Sequence, residues 1–459
     1  MSEMRDNCGV FGISSNTECV HDIYNGLDFL QHRGQEYCGI ATVDGKMHMV
    51  THYGKVAMTF NDQELGYLKG NMGIGHVSLW ERQPMTWQSQ LGEIALAFSG
   101  NIINADTLLQ ELKNQGKAFY RGYNIEILSQ IIIDAGDIVS GIASIAKKVK
   151  GAYSLIILAR EGIYAARDLY GFRPLILGQD GVRYAVSSES RALQNLDMEV
   201  VRDVRPGEIV LIDQNGFHTL QQLKSPRRAH CAFEWAYTAS IDSIIDSLFV
   251  QEARNNLGQS LAQRDIDEGT FSADIVAPVP MSGIGHALGY HRRSGITYQE
   301  VFLYNRYADR SYTQPTQKAR EKMAKRKLSV LPYAVEGKRI VLCDDSIVRG
   351  TQILNKVKDL KKAGAVEVHV RIACPPLMYP CDYGVSTRSQ EELAARHYFR
   401  SGNITTMKKL REIETWIASE IGADSVKYNS IAAFVKALGI PRNALCLKCW
   451  DGVSPLVAP

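Results

Sequence analysis

The residues with the clearest chemical purpose are Asp344-Asp345 and the run that follows, Ser346-Ile347-Val348-Arg349-Gly350-Thr351. Arg339–Cys343 before them has the apolar pattern of a buried strand. A helical pattern with Ile353, Val357 and Leu360 on one face comes after. A loop between a strand end and a helix start offers free backbone N–H groups and the positive end of the helix dipole, which suits a phosphate. Gly350 lets the backbone approach a ligand closely, and Thr351 adds a hydroxyl and can cap the helix. Two carboxylates would repel a phosphate. Asp344 and Asp345 are better suited to ribose hydroxyls or to hydrated Mg²⁺, which prefers oxygen ligands. A sugar phosphate bound with a metal satisfies both halves of the pattern. An isolated Asp-Asp pair would more simply be solvated, but the strand–loop–helix setting argues against that.

A second set is the cysteines, nine in all. Cys446-Leu447-Lys448-Cys449 is a CxxC, which alone could be redox-active, zinc-binding or incidental. Cys231 and Cys381 lie elsewhere in the second half. Cys19, Cys38, Cys343 and Cys374 read as core or surface thiols, and the eleven histidines show no metal-ligand spacing.

These residues need elements to position them. With 459 residues, 45% of them hydrophobic, the chain can bury two or three domain cores. A net charge of +3 argues against bulk nucleic-acid or membrane-surface binding. No apolar run is long enough to span a bilayer, and MSEMRDNCGVFGI is not a secretory signal, so a soluble cytoplasmic protein is expected. The first half reads as short strands and turns, among them CGVFGI, SLIILA and EIVLID. Gln214–Arg228 is polar and turn-rich, which places a domain boundary at 228/229. The second half alternates strands (DIVAPVP, RIVLCDD, VEVHVRIAC) with helices, which predicts βαβ units and a parallel sheet. A C-terminal helix carries Leu410, Ile413 and Ile417 on one face.

VLCDDSIVRGTQ resembles the signature with which type I phosphoribosyltransferases bind 5-phosphoribosyl-1-pyrophosphate (PRPP). CGVFGI, QHRGQE, GAYS, DLYGFRPLILG, PVPMSG, NRY, QPTQKAR, CPPLMYPCDYG and GADS extend the resemblance over nearly the whole chain, to the glutamine PRPP amidotransferases. The resemblance implies an N-terminal-nucleophile glutaminase domain, an α/β/β/α sandwich over 1–228. A phosphoribosyltransferase domain with a parallel sheet follows over 229–459. Ammonia from glutamine would attack C1 of PRPP in the second. By position, Ser282, Asp344 and Asp345 would hold Mg²⁺, Ser346–Thr351 would cradle the 5-phosphate, and Pro280–Gly283 would lie under the pyrophosphate. Arg310–Lys327 resembles a loop that closes over PRPP and excludes water. Some family members carry a [4Fe–4S] cluster on cysteines placed like Cys231, Cys381, Cys446 and Cys449; four thiolates also suit zinc. Purine nucleotides as inhibitors and a homo-oligomer are further implications. Met281 and Gln251 depart from the family pattern, which has an acidic residue and a Tyr there.

Cys8 stands at the family's nucleophile position, where a terminal α-amine acts as base. Seven residues precede it, and some relatives remove a short leader; if the leader stays, that base is lost. Ser78 replaces the Arg of GHVRY, Ser99 the oxyanion-hole Asn of HNGN, and Asn124 an acidic ammonium anchor. Gln31–Gly34 and Gly100 remain. The leading expectation is a PRPP-dependent transferase whose own glutaminase is lost, with Cys8 a buried small residue and with ammonia or another amine as acceptor. An ordinary glutamine-dependent amidotransferase, or a non-catalytic PRPP or purine-nucleotide sensor, would carry the same loop.

Overall fold

Along Gly92–Ile102, Ala95 and Ala97 point one way while Ile94, Leu96 and Phe98 point the other, and all five are buried. A strand buried on both faces must lie between two layers, and the computed structural model shows which. It describes residues 8–269, 272–305, 328–385, 387, 389–400 and 402–456. Ala95 and Ala97 face Val10, Ile74 and Leu177 of a second sheet. Ile94, Leu96 and Phe98 face helices Ala105–Asn114, Asn124–Asp134 and Ile138–Lys148.

The two sheets of the first half are antiparallel throughout. The seven-stranded one has Gly9–Ser14 at its centre, flanked by Met72–Ser78 and Tyr184–Ser187. Helix Val20–Phe29 packs its Ile23 and Leu27 on the outer face. Small residues permit this: a Cβ at Gly75 would come within 2.7 Å of Ile23 and Leu27. The six-stranded sheet runs through Gly151–Ala159 and Gly162–Arg167. The result is the expected helix–sheet–sheet–helix sandwich.

The second half centres on a five-stranded parallel sheet. Its order is Thr297–Tyr298, Ile275–Pro278, Arg339–Asp344, Glu367–Ile372, Ser425–Tyr428. Both faces are covered, as parallel sheets require. Ile340 and Leu342 face helices Thr351–Lys362 and Met407–Ile421, where Ile353, Val357, Leu360, Leu410, Ile413 and Ile417 are buried as expected. Val341 and Cys343 face helices Val250–Glu268 and Ile284–Ser294. No helix among the described residues is long and apolar enough to cross a membrane.

Candidate functional site

The Arg339–Asp344 strand delivers two carboxyls to the carboxyl edge of the parallel sheet, a usual place for ligands in open α/β folds. The turn is held from below: Ala373 N–H donates to the Asp344 carbonyl (3.0 Å) and Cys374 N–H to the Asp345 carbonyl (2.8 Å). Ser282 Oγ donates to Asp344 Oδ1 (2.7 Å), and Ser346 Oγ to Asp345 Oδ2 (2.5 Å). Both acids are buried. Burial, and then the neighbouring Asp344, push the Asp345 carboxyl well above the ordinary range.

Beyond the acids the backbone is left open. Among the described residues, the N–H groups of Ser346 through Thr351 donate to no protein acceptor. Ile347 is buried, and the Val348 carbonyl accepts from Ala394 N–H (2.7 Å), so the loop is anchored while its amides stay unused. Arg349 pairs with Glu392 at 2.7 Å and is mostly exposed. Thr351 is not the helix cap. Gly350 takes that position at φ +81, where an L side chain is strained, and Thr351 is the first helical residue.

The companion loop follows Ile275–Pro278. Gly283 packs so tightly that a Cβ would sit 2.2 Å from the Cys343 carbonyl, so it locks Pro280, Ser282 and Gly283 against the acidic strand. Met281 is exposed at φ +72, a conformation unusual for any side chain and typical of functional loops. Gln251 is exposed on the first turn of Val250–Glu268. The expected closing loop at Arg310–Lys327 lies outside the described residues.

Two residues that no local pattern announces also belong to this site. Tyr237 sits on a π-helical turn, Glu234–Thr238. Burial, then the charges of Asp345 and Asp344, raise its phenol pKa, so it lies within electrostatic reach of the acidic pair. Arg254 donates to the carbonyls of Trp235 (3.1 Å), Tyr237 (2.8 Å) and Ala239 (2.7 Å), fixing that turn while lying within the field of Asp345.

At the other site Cys8 is buried, just before the Gly9–Ser14 strand. Ser99 Oγ donates to the Cys8 carbonyl (2.7 Å) and so ties down backbone rather than offering an oxyanion donor. His76 is buried, and its Nε2–H donates to the Phe98 carbonyl (3.1 Å); burial lowers its pKa to about 3, which keeps it neutral and a weak base. The cavity beside Cys8 measures about 10 Å³ and is lined by Trp80, Glu81, Gln83, Phe98, Gly100 and Asn124. That is room for about one water. The chain's own side chains take the polar positions. Gln83 Oε1 accepts from Phe98 N–H (2.9 Å), Gln83 Nε2 donates to Glu81 Oε2 (3.0 Å), and Glu81 Oε1 receives Asn124 N–H (3.4 Å). Ser78 Oγ donates to the Glu81 carbonyl (2.5 Å) and holds this segment in place.

The cysteines expected to act together are all buried. Cys231 and Cys446 are register partners in a short parallel strand pair, His230–Cys231 with Leu445–Cys446. Cys381 Sγ accepts Tyr383 N–H (3.3 Å). A hydrogen bond from Cys449 lowers the Cys381 pKa to about 6, and Cys231 and Arg173 lie within electrostatic reach of Cys381. Among the described residues, no three His, Cys, Asp or Glu side chains form a group that could hold a metal ion. Cys19, Cys38, Cys343 and Cys374 are buried too.

Residues 76–195 match the model of a glutamine amidotransferase domain. The chain is 38% identical over 475 residues to the amidophosphoribosyltransferase of Methanothermobacter thermautotrophicus, covering 100% of this chain and 96% of that protein. It is 37% identical over 469 residues to that of Bacillus subtilis, covering 98% and 94%. A solved structure of glutamine PRPP amidotransferase from B. subtilis, complexed with ADP and GMP, superposes with a TM-score of 0.88 at 38% identity, covering 98% of this chain and 97% of that one.

Proposed function

The chain belongs to the amidophosphoribosyltransferase family, and from that premise we propose that it transfers the phosphoribosyl group of PRPP to nitrogen, with release of pyrophosphate, in purine synthesis. The observation that carries this reading is the unused row of N–H groups from Ser346 to Thr351 beside two buried acids. In this reading Ser346, Ile347, Val348, Arg349, Gly350 and Thr351 hold the 5-phosphate, and Pro280, Ser282 and Gly283 lie under the pyrophosphate. The acids suit Mg²⁺: two buried carboxyls lie side by side, and the raised pKa of Asp345 marks a site short of positive charge. Asp344, Asp345 and Ser282 would hold the ion, which supplies charge neutralisation for the leaving pyrophosphate. We place the domain boundary at 228/229 and the protein in the cytoplasm as a homo-oligomer. The B. subtilis relative complexed with ADP and GMP supports purine nucleotides as inhibitors.

On the nitrogen source, similarity along the full chain to enzymes named amidophosphoribosyltransferase supports the ordinary glutamine-dependent reaction better than a lost glutaminase. One specific observation favours the second reading, in which ammonia or another amine is used. Glu81 and Gln83 fill the space beside Cys8, where a free glutamine would need a pocket many times larger and a cation for its carboxylate. On this second reading, with PRPP and Mg²⁺, ammonium drives pyrophosphate release, and glutamine drives it on the order of 10²-fold less or not at all. PRPP-stimulated glutamate formation at a comparable rate restores the ordinary enzyme. No pyrophosphate release with either donor, despite PRPP binding, points instead to a sensor.

Cys231, Cys381, Cys446 and Cys449 are buried together, with a backbone N–H aimed at one sulfur and the Arg173 guanidinium nearby, both of which favour thiolates. This donor set suits a [4Fe–4S] cluster, which spreads its ligands wider than one zinc ion. Protein prepared without oxygen is expected to be brown and to contain iron and acid-labile sulfide. Cys446→Ser is expected to lose both and to melt earlier, because ligation is coupled to folding. Zinc, or no metal, in anaerobic protein overturns the cluster.

A further inference from the structure

Arg349 belongs to the loop whose N–H groups stand open, but its side chain is engaged outside that loop. Nη2 donates to Glu392 Oε2 at 2.7 Å, 43 residues further along the chain. Among the described residues Glu392 is the only partner of the guanidinium, so its remaining N–H groups are unused. Arg349 is also the only cation between Asp344 and Thr351. We propose that Glu392 is a positioning residue that competes with the 5-phosphate for Arg349 and so sets how tightly the loop holds PRPP. This rests on the reading of Ser346–Thr351 as the 5-phosphate loop.

Glu392 ends the turn Gln390–Glu392, which leads into helix Ala394–Tyr398. This segment is anchored without the ion pair. Ala394 N–H donates to the Val348 carbonyl (2.7 Å), and Leu393 is fully buried. Arg396 donates to the carbonyls of Met378 (2.5 Å) and Gly402 (3.0 Å) and lies over the Tyr379 ring, 4.4 Å from its centre. His397 Nε2 donates to the Glu391 carbonyl (2.8 Å). A support that does not depend on Arg349 therefore delivers a carboxylate to the rim of the phosphate loop.

The pair itself adds little to folding. Its side chains are 59% and 28% exposed, and ion pairs this open are nearly balanced by hydration and lost side-chain freedom. Such a pair separates easily, whereas a buried one such as Arg33 with Glu234 does not. In the empty site the guanidinium rests on Glu392. When a phosphate enters the row of N–H groups, the guanidinium turns to it, exchanging one charge-assisted hydrogen bond for another, and the carboxylate returns to water. The 5-phosphate is present in PRPP and in the transition state alike, so the competition weakens both equally. It acts on KM and not on kcat.

The test is calorimetry of the full chain with ribose 5-phosphate, which carries the sugar phosphate without the pyrophosphate, beside steady-state pyrophosphate release from PRPP. Glu392→Gln is expected to bind ribose 5-phosphate about two- to fivefold more tightly, the scale of a partly exposed ion pair. Its KM for PRPP should fall by a similar factor with kcat unchanged. Glu392→Asp, which keeps the charge but draws it back by one methylene, should fall between wild type and Glu392→Gln. In an Arg349→Gln background most of the effect of Glu392→Gln should vanish, which a merely structural role would not produce. Unchanged or weaker binding in Glu392→Gln overturns the proposal. So does an effect undiminished without Arg349, since Glu392 would then act as a bare charge. If wild type binds neither ribose 5-phosphate nor PRPP, the loop is not a phosphate site, and the reading beneath the proposal falls with it.

Discussion

Asp345→Asn is expected to lower kcat/KM for PRPP by on the order of 10²–10³-fold while leaving the free protein as stable as before or more so. The two halves of this expectation have one cause. Asp345 is buried beside Asp344, and its carboxyl is pushed up by burial and by that neighbour. Asparagine removes the repulsion and can still accept from Ser346 Oγ, so the fold loses nothing. The site loses a charged ligand for Mg²⁺ and the sugar, a contact worth about 2–5 kcal/mol when one partner is removed. Calorimetry with Mg²⁺–PRPP and a thermal melt of the same preparation separate the two. A variant that melts much earlier but binds PRPP normally would mean that Asp345 is structural and that the acids do not form the site.

The parts of this site legible in the sequence are those written in short-range pattern. The apolar run of Arg339–Cys343, the acids, and the 3.6-residue period of Ile353, Val357 and Leu360 are all local, and each reappears in the structure. Local reading failed where the backbone decides. Thr351 looked like a cap because threonine commonly is one, yet Gly350 at φ +81 makes the turn and takes the position. Helix Val250–Glu268 carries only a narrow apolar stripe, Val250, Ala253, Leu257 and Leu261. Its buried face includes Arg254, Asn255, Gly258 and Asp265, because it packs backbone to backbone on Ile284–Ser294. A Cβ at Gly258 would fall 1.9 Å from the His286 carbonyl, and one at Gly289 as close to that of Asn255. Tyr237 comes within electrostatic reach of the acids only through tertiary structure, and Cys231 and Cys446 pair across most of the second half. At Cys8, the sequence announced losses at Ser78, Ser99 and Asn124. It did not announce that Glu81 and Gln83 occupy the space left, since neither position looks unusual on its own.

The largest loss of stability is expected from Glu234→Ala. Glu234 lies between two guanidiniums, Arg33 Nη2 to Oε2 and Arg173 Nη1 to Oε1, each at 2.7 Å. Arg33 also pairs with Glu189, which accepts from Ser240 N–H and Ser243 Oγ at 2.8 Å. All four charged side chains are no more than 2% exposed, so two cations balance two anions away from water. Removing one anion leaves two buried cations sharing a single carboxylate, a change that costs about 3–5 kcal/mol. Glu234→Gln keeps one of the two acceptors but sets an amide NH₂ against the other guanidinium, so it should also cost stability. The network joins the QHRG block to the start of the second half, and Glu234 opens the turn that carries Tyr237, which lies within electrostatic reach of the acids. A weaker apparent affinity for PRPP should therefore accompany the loss of stability. The pH dependence follows from Glu189. Burial alone would raise its carboxyl pKa, but Arg33 and His32 outweigh burial and hold it far below the ordinary range. A carboxyl more acidic in the folded chain than in the unfolded one contributes its full stability above the unfolded value, about 4.3, and loses it as the pH falls toward the folded one. Urea unfolding of wild type at pH 7 and pH 4, beside Glu234→Ala at pH 7, tests both statements. A Glu234→Ala midpoint within error of wild type would show that the guanidiniums find water or other anions, and that this network does not hold the two halves together.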